Sequence, residues 1–112
     1  MSAEELKGHL DAMLLAALEG GPQHGYAVIE ALRQSTGGRL DLPTGTIYPA
    51  LRRLEQAGLI TGSWSVVGGR RRREYRLTAA GTRALSGRRA AWQDFSAMVT
   101  AALEGIPCPN PA

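Results

Sequence analysis

The sequence predicts a mainly α protein with one two-stranded β-hairpin set between its third and fourth helices. Three observations carry this prediction. Apolar residues recur at helical 3/4 spacing in four separate stretches. Between the third and fourth of these, apolar positions share one parity instead, at Ile60, Trp64 and Val66 and again at Tyr75 and Leu77. Glycine-rich punctuation ("EGGP", "STGG", "VGG") separates the runs. The chain has 112 residues, enough for one domain, or one domain with an appended helix. Its apolar fraction of 44% is ordinary for a globular protein, so a modest core is feasible.

The first helix opens at Ser2, with Glu5 completing a capping box, and turns Leu6, Leu10, Met13, Leu14, Ala17 and Leu18 inward. Glu19 to Pro22 stops it. The second crosses "QHGYAVIEALRQSTGG", buries Val28, Ile29 and Leu32, and ends at Gly37–Gly38. Gly25, near its first turn, leaves room for another backbone to approach. The third helix lies within "PTGTIYPALRRLEQAGLI", from Pro43 to Ile60. Ile47, Leu51 and Leu54 face the core, yet Pro49 sits among them with no N–H to donate. With an N-cap at Thr44 or Thr46, Pro49 falls within or just beyond the first turn, where few N–H groups have intrahelical partners. The proline then marks the start of a helix. Gly58 closes that helix, and a hairpin follows whose connecting loop, "VGGRRRR", carries Arg70, Arg71, Arg72 and Arg73 at its tip. Thr78 is placed to cap the last helix. There Leu85, Trp92, Val99 and Ile106 repeat every seven residues, with Phe95 and Ala102 between them and Arg88 breaking the pattern. The expected organisation is 1–77 as the helix–hairpin domain, 78–106 as the appended helix and 107–112 as a flexible tail.

Charge is segregated along the chain. All twelve arginines lie between Arg33 and Arg89, against only Asp41, Glu55 and Glu74, so a segment of net +9 is flanked by acidic ends. A basic middle is the footprint of a polyanionic partner. The single cysteine, Cys108, excludes an intrachain disulfide and reads as a surface thiol. No spaced Cys or His set suggests a metal, no nucleophile–base pair or phosphate loop suggests catalysis, and no cofactor is expected. An acidic N-terminus and the lack of any ~20-residue apolar run point to a cytosolic protein.

Three helices followed by a hairpin with a positive loop describe a winged helix-turn-helix. The third helix would enter the major groove by its N-terminal turn, with the second crossing the backbone. Thr44, Gly45, Thr46, Tyr48 and Pro49 then form the front that meets DNA, where free N–H groups favour phosphate. Arg52 and Arg53 reach a guanine edge or a phosphate, and Arg70 to Arg73 lie along the backbone or enter a narrow minor groove. The rival class is a winged-helix protein-interaction module that never touches DNA, which would tolerate a neutral or acidic wing.

"LLAALEGGPQHGYAVIEALRQSTGGRLDLPTGTIYPALRRLEQAGLITGSW" followed by "GGRRRREYRLTAAG" resembles the PadR family of bacterial transcriptional regulators, over roughly Leu14 to Leu85. The resemblance implies a winged-helix domain, a homodimer made through the C-terminal helix, and usually repression at a palindromic promoter site. Carried over by position, His24, Gly25 and Tyr26 fall on the family's second-helix motif and Thr44 to Pro49 on the front of its recognition helix. Arg70 to Arg73 and Tyr75 fall on its wing. His24 and Tyr26 either touch phosphate or order the junction between the first two helices. Tyr75 reads as core, and Trp64 as an anchor for the hairpin.

The fourth helix carries more apolar surface than a small domain needs. Pairing it with the same helix of a second chain, with the first helix joining, gives an expected interface of Leu6, Leu10, Leu85, Trp92, Phe95, Val99, Ala102 and Leu103. Some short PadR-like regulators bind flat aromatic drugs between paired tryptophans on this helix, and Trp92 sits at a comparable place. Trp92 and Phe95 are therefore the residues expected either to bind a small aromatic effector or to pack the interface.

Overall fold

A computed structural model describes Leu6 and residues 9–105 of the chain. The elements run α1 (Leu10–Ala17), β1 (Gln23–His24), α2 (Gly25–Ser35), α3 (Thr44–Gln56), β2 (Ile60–Val67), β3 (Arg70–Leu77) and α4 (Ala79–Glu104). This is the predicted winged-helix order with one addition. Gln23 and His24 pair antiparallel with Tyr75 and Glu74, so the hairpin becomes a three-stranded sheet of order β1-β3-β2. Two residues are too few to alternate legibly in a sequence. The Gln23 side chain also donates to the carbonyl of Ala17 at 2.9 Å, satisfying one of the free acceptors at the end of α1. The expected capping box at Ser2 and Glu5, and Ile106 and Cys108 beyond α4, lie outside the described residues.

The core is one layer of helix packed on helix and closed below by the sheet. Leu14, Leu15, Val28, Ile47 and Leu51 are fully buried, with Leu54, Ile60 and Tyr75 around them. Adjacent Leu14 and Leu15 are both inside because α1 touches α2, α3 and α4 together and so needs a wide apolar face. For the same reason, two residues expected at a dimer interface are not available to one. Leu10 and Leu85 are only 8% and 3% exposed and pack in the protomer's own core.

Helix α3 begins one residue earlier than expected. Its N-cap is Pro43 in extended conformation, not Thr44 or Thr46, and the Pro43 carbonyl accepts from the N–H groups of Thr46 (2.9 Å) and Ile47 (3.1 Å). Leu40 and Leu42 are buried, which anchors the chain that leads into Pro43. Pro49 thus sits just past the first turn, and the carbonyl it leaves without a donor belongs to exposed Gly45, where solvent can supply one. At the other end, the N–H of Leu59 reaches the carbonyl of Leu54 (3.1 Å) and that of Gly58 reaches Glu55 (3.0 Å). This 6→1 and 5→2 pair needs the positive φ of Gly58, +76°.

The hairpin turn is shorter than expected. Gly68 and Gly69, at φ +59° and +78°, make it alone, as a two-residue turn with both central residues left-handed requires. Arg70 to Arg73 are therefore not a loop. They form the first half of β3, paired with Val67, Val66, Ser65 and Trp64 in turn. The Gly-Gly turn matches the twist of the flanking strands, so pairing continues up to the turn itself.

Helix α4 is fastened where it starts. Thr78 Oγ1 accepts from the N–H of Gly81 (3.0 Å) and donates to the carbonyl of Gly58 (2.7 Å), while the Thr78 N–H donates to the carbonyl of Leu59 (3.2 Å). A Cβ at Gly81 would lie 1.9 Å from the Leu59 oxygen, so only glycine allows this junction. Gly87, two turns on, has nothing within 4 Å of its Cβ position. The two glycines of one helix should respond oppositely to alanine. Gly81→Ala lowers unfolding stability by roughly 1–3 kcal/mol through overpacking. Gly87→Ala raises it by up to ~1 kcal/mol through helix propensity. Urea denaturation of both variants checks this, and equal signs would contradict close packing at the α4 junction.

Candidate nucleic-acid interface

Burying Ile47, Leu51 and Leu54 turns Tyr48, Arg52 and Glu55 toward the hairpin, because these positions follow one another at i, i+4 and i+7 along α3. Between α3 and the sheet lies a groove of about 650 Å³. His24, Tyr26, Tyr48 and Arg52 form one wall, and Trp64 with the strand from Arg70 to Arg73 forms the other. Glu55 and Tyr75 lie between them.

The tyrosines are set by close packing. Gly25 opens α2 where a Cβ would sit 2.5 Å from the Tyr48 ring, so the approach that this glycine permits is by an aromatic side chain and not by a backbone. Tyr26 meets Tyr48 edge-on at 6.4 Å. Burial, and then the neighbouring Tyr26 and Tyr75, push the Tyr48 hydroxyl above its usual range. It stays a neutral O–H donor at physiological pH. His24 caps α2, its Nδ1 accepting from the N–H of Ala27 at 3.4 Å.

On the wing, the strand alternation puts Arg71 and Arg73 on the face of Trp64. Their guanidinium carbons lie 4.6 Å and 5.4 Å from the centroid of its indole. Trp64 is 59% exposed, so it supports arginines and does not fill the core. Arg73 also donates to Glu55 Oε2 at 2.6 Å, and this hydrogen bond is the main reason its pKa is raised. Among the described residues, Arg52, Arg70, Arg71 and Arg72 have no carboxylate within ion-pair distance. Arg53 differs: it leaves the groove and pairs with Asp11 of α1.

The winged-helix order of elements is shared with known proteins. Residues 14–87 match the model of the "Transcriptional regulator PadR-like family". The chain belongs to the PadR-like family. A PadR family transcriptional regulator from Eggerthella lenta is 33% identical over 90% of this chain and 87% of its own, with a TM-score of 0.79. A transcriptional regulator from Clostridium thermocellum has the same fold, with a TM-score of 0.81 at 24% identity over 88% of this chain and 96% of that one. The transcriptional regulator Rv3488 of Mycobacterium tuberculosis is 48% identical over 46% of this chain, and the matched part spans about half (49%) of that protein's length. PadR-like proteins are DNA-binding regulators, not enzymes.

In this PadR-like chain the sequence-predicted residues therefore separate into groups. His24, Tyr26, Tyr48, Arg52 and Arg70 to Arg73 meet in one groove. Thr44, Gly45 and Pro49 are exposed at the front of α3, with Thr46 half-buried beside them. Arg53 is turned away. Glu55 and Trp64 were not among the predicted contacts, although the pairing of Trp64 with Arg73 follows once the turn is assigned to Gly68–Gly69.

The α4 residues lie elsewhere. Trp92 and Phe95 pack at 6.1 Å, and His9 meets Trp92 edge-on at 5.1 Å. They border a cavity of about 730 Å³ between α1 and α4, with Met13 and Ala16 opposite. Trp92, Phe95 and Leu103 are 50%, 54% and 82% exposed in the protomer. Among the described residues, no helix is long and apolar enough to cross a membrane.

Proposed function

We propose that the protein is a cytoplasmic homodimeric repressor that binds an inverted-repeat promoter site and is released by a small aromatic ligand. The observation that carries the reading is a division of labour within one protomer. A basic groove lies on one side, and a bare apolar stripe on α4 lies on the other. Trp92, Phe95, Val99, Ala102 and Leu103 fall within about a third of the helix circumference at 100° per residue. A two-fold partner covers such a stripe with its own copy. That symmetry sets two α3 helices about one DNA turn apart, ~34–36 Å, as two half-sites require. Leu6 is partly buried against the protomer's core and remains a candidate contact.

Within each half-site, the Thr44–Pro49 front and Tyr48 meet phosphate, Arg52 reads a base edge, and Arg70 to Arg72 follow the backbone beside the groove. The ligand occupies the cavity bordered by Trp92 and Phe95. By wedging α4 away from α1 or from its partner, it changes the separation of the recognition helices. DNA affinity falls by as much as the ligand's affinities for the two spacings differ.

Three measurements test this reading. Arg52→Ala should weaken binding to a duplex selected by the wild-type protein by roughly 1–3 kcal/mol more than binding to random duplex. Equal losses on both would make Arg52 a backbone contact, and no binding by the wild type at 50 mM salt would favour the protein-interaction alternative. Paired Phe95→Asp and Leu103→Asp substitutions should give a folded monomer in sedimentation velocity, and a surviving dimer would place the interface elsewhere. In a Trp64→Phe background, a planar aromatic dye should quench Trp92 fluorescence and lower DNA affinity. Quenching without that loss would remove the effector role.

A further inference from the structure

Glu55 is the one carboxylate among the described residues lining the DNA-facing groove, and its position works against charge complementarity. An acid facing a polyanion costs affinity unless it has another task. Its contacts suggest that task. Oε2 of Glu55 accepts from Arg73 Nη2 of β3 at 2.6 Å and from the N–H of Gly62 in β2 at 3.3 Å. One oxygen of the recognition helix thus holds both strands of the wing. Gly62 is shaped for the purpose, since a Cβ there would lie 2.6 Å from Arg73 Nε and 2.9 Å from its Cζ. The arginine crosses the wing where a side chain would otherwise stand. Beyond it, Trp64 lies under both Arg73 and Arg71, which extends the contact toward the hairpin tip.

We infer that Glu55 and Arg73 are positioning residues for DNA recognition: the pair, seated over Gly62, fixes the angle between α3 and the wing so that both engage one half-site together. Arg73 is then occupied with Glu55 and is not a phosphate ligand, while Arg71, resting on Trp64, stays available to DNA. This rests on α3 and the wing being the DNA-contacting surfaces. Simple electrostatics expects removal of an acid to tighten binding to every duplex. A lost clamp weakens the selected site while binding to random duplex stays level or rises.

The experiment uses the full chain and two duplexes of equal length, one selected from a random pool by the wild-type protein and one of random sequence. Glu55→Ala and Arg73→Met are each expected to reduce the ratio of the two affinities about tenfold, with Glu55→Gln intermediate. The Glu55→Ala/Arg73→Met double variant should lose no more than either single variant, because the two act as one unit. The slope of log affinity against log salt should be unchanged in Arg73→Met. In hydroxyl-radical footprints the wing's protection should fade while that of α3 remains. The clamp is half-exposed, so circular dichroism and melting should show all variants folded. Tighter binding of Glu55→Ala to both duplexes, or a salt slope smaller by about one unit in Arg73→Met, would overturn the inference. If the wild type selects no duplex at all, the DNA-contact reading itself falls, and that result is distinct from an intact selection with unaltered variants.

Discussion

Helix α3 can sit in only one rotation about its axis, and what the protein presents to DNA follows from that. Ile47, Ala50, Leu51 and Leu54 are all at most 2% exposed. Each large apolar side chain moved back to water would cost roughly 1.5–3 kcal/mol. Turning the helix by one residue would expose most of the set together, a loss comparable to the whole stability of a small domain, ~5–15 kcal/mol. No attraction between Arg52 or Tyr48 and their surroundings approaches that sum. The polar face is therefore aimed by the apolar one, before any nucleic acid is present.

The electrostatics then refine a direction already fixed. The arginines are not equivalent once folded. Arg33, Arg53, Arg73 and Arg89 are paired with Glu30, Asp11, Glu55 and Glu19. Pairs as exposed as Arg89–Glu19 add little stability, and salt screens them. Their effect is to choose where a long, flexible cation points. Arg53 is drawn to α1 and Arg73 to α3, while Arg52, Arg70, Arg71 and Arg72 keep their charge for solvent or a partner. A segment of net +9 in the sequence becomes a groove with a smaller set of uncommitted charges.

What could be read from the sequence follows from this hierarchy. The order of elements was legible because Ile47, Leu51 and Leu54 and the paired parities of β2 and β3 are local signals. Tyr48 and Arg52 were legible in turn, being whatever the helix leaves outside. Contacts that join distant segments were not. Gln23 and His24 become a strand only because Tyr75 and Glu74 arrive beside them. Arg70 to Arg73 look like a loop until Gly68 and Gly69 are seen to complete the turn unaided. Leu85 fits a heptad seam as well as a core, Leu10 fits a dimer face as well as a core, and only the packing of α1 on α4 decides between them. The role of Glu55 is not local either, since nothing nearby in the sequence shows that Arg73 will cross Gly62 to reach it.

The same packing explains how a change on α4 could reach α3. Helix α4 has 26 residues, about 39 Å at ~1.5 Å per residue. Leu85 ties its first turns to the core, and the stripe from Trp92 to Leu103 extends past it. At its start, Thr78 bonds Gly58 and Leu59, and Gly81 sits against the Leu59 carbonyl. Gly58 and Leu59 are also the residues whose N–H groups close the end of α3. One backbone segment therefore belongs to both helices. A tilt of α4 about Leu85 that preserves these bonds must carry the C-terminal end of α3 with it. Under the proposed ligand control, a displacement at Trp92 is passed to α3 through this shared segment.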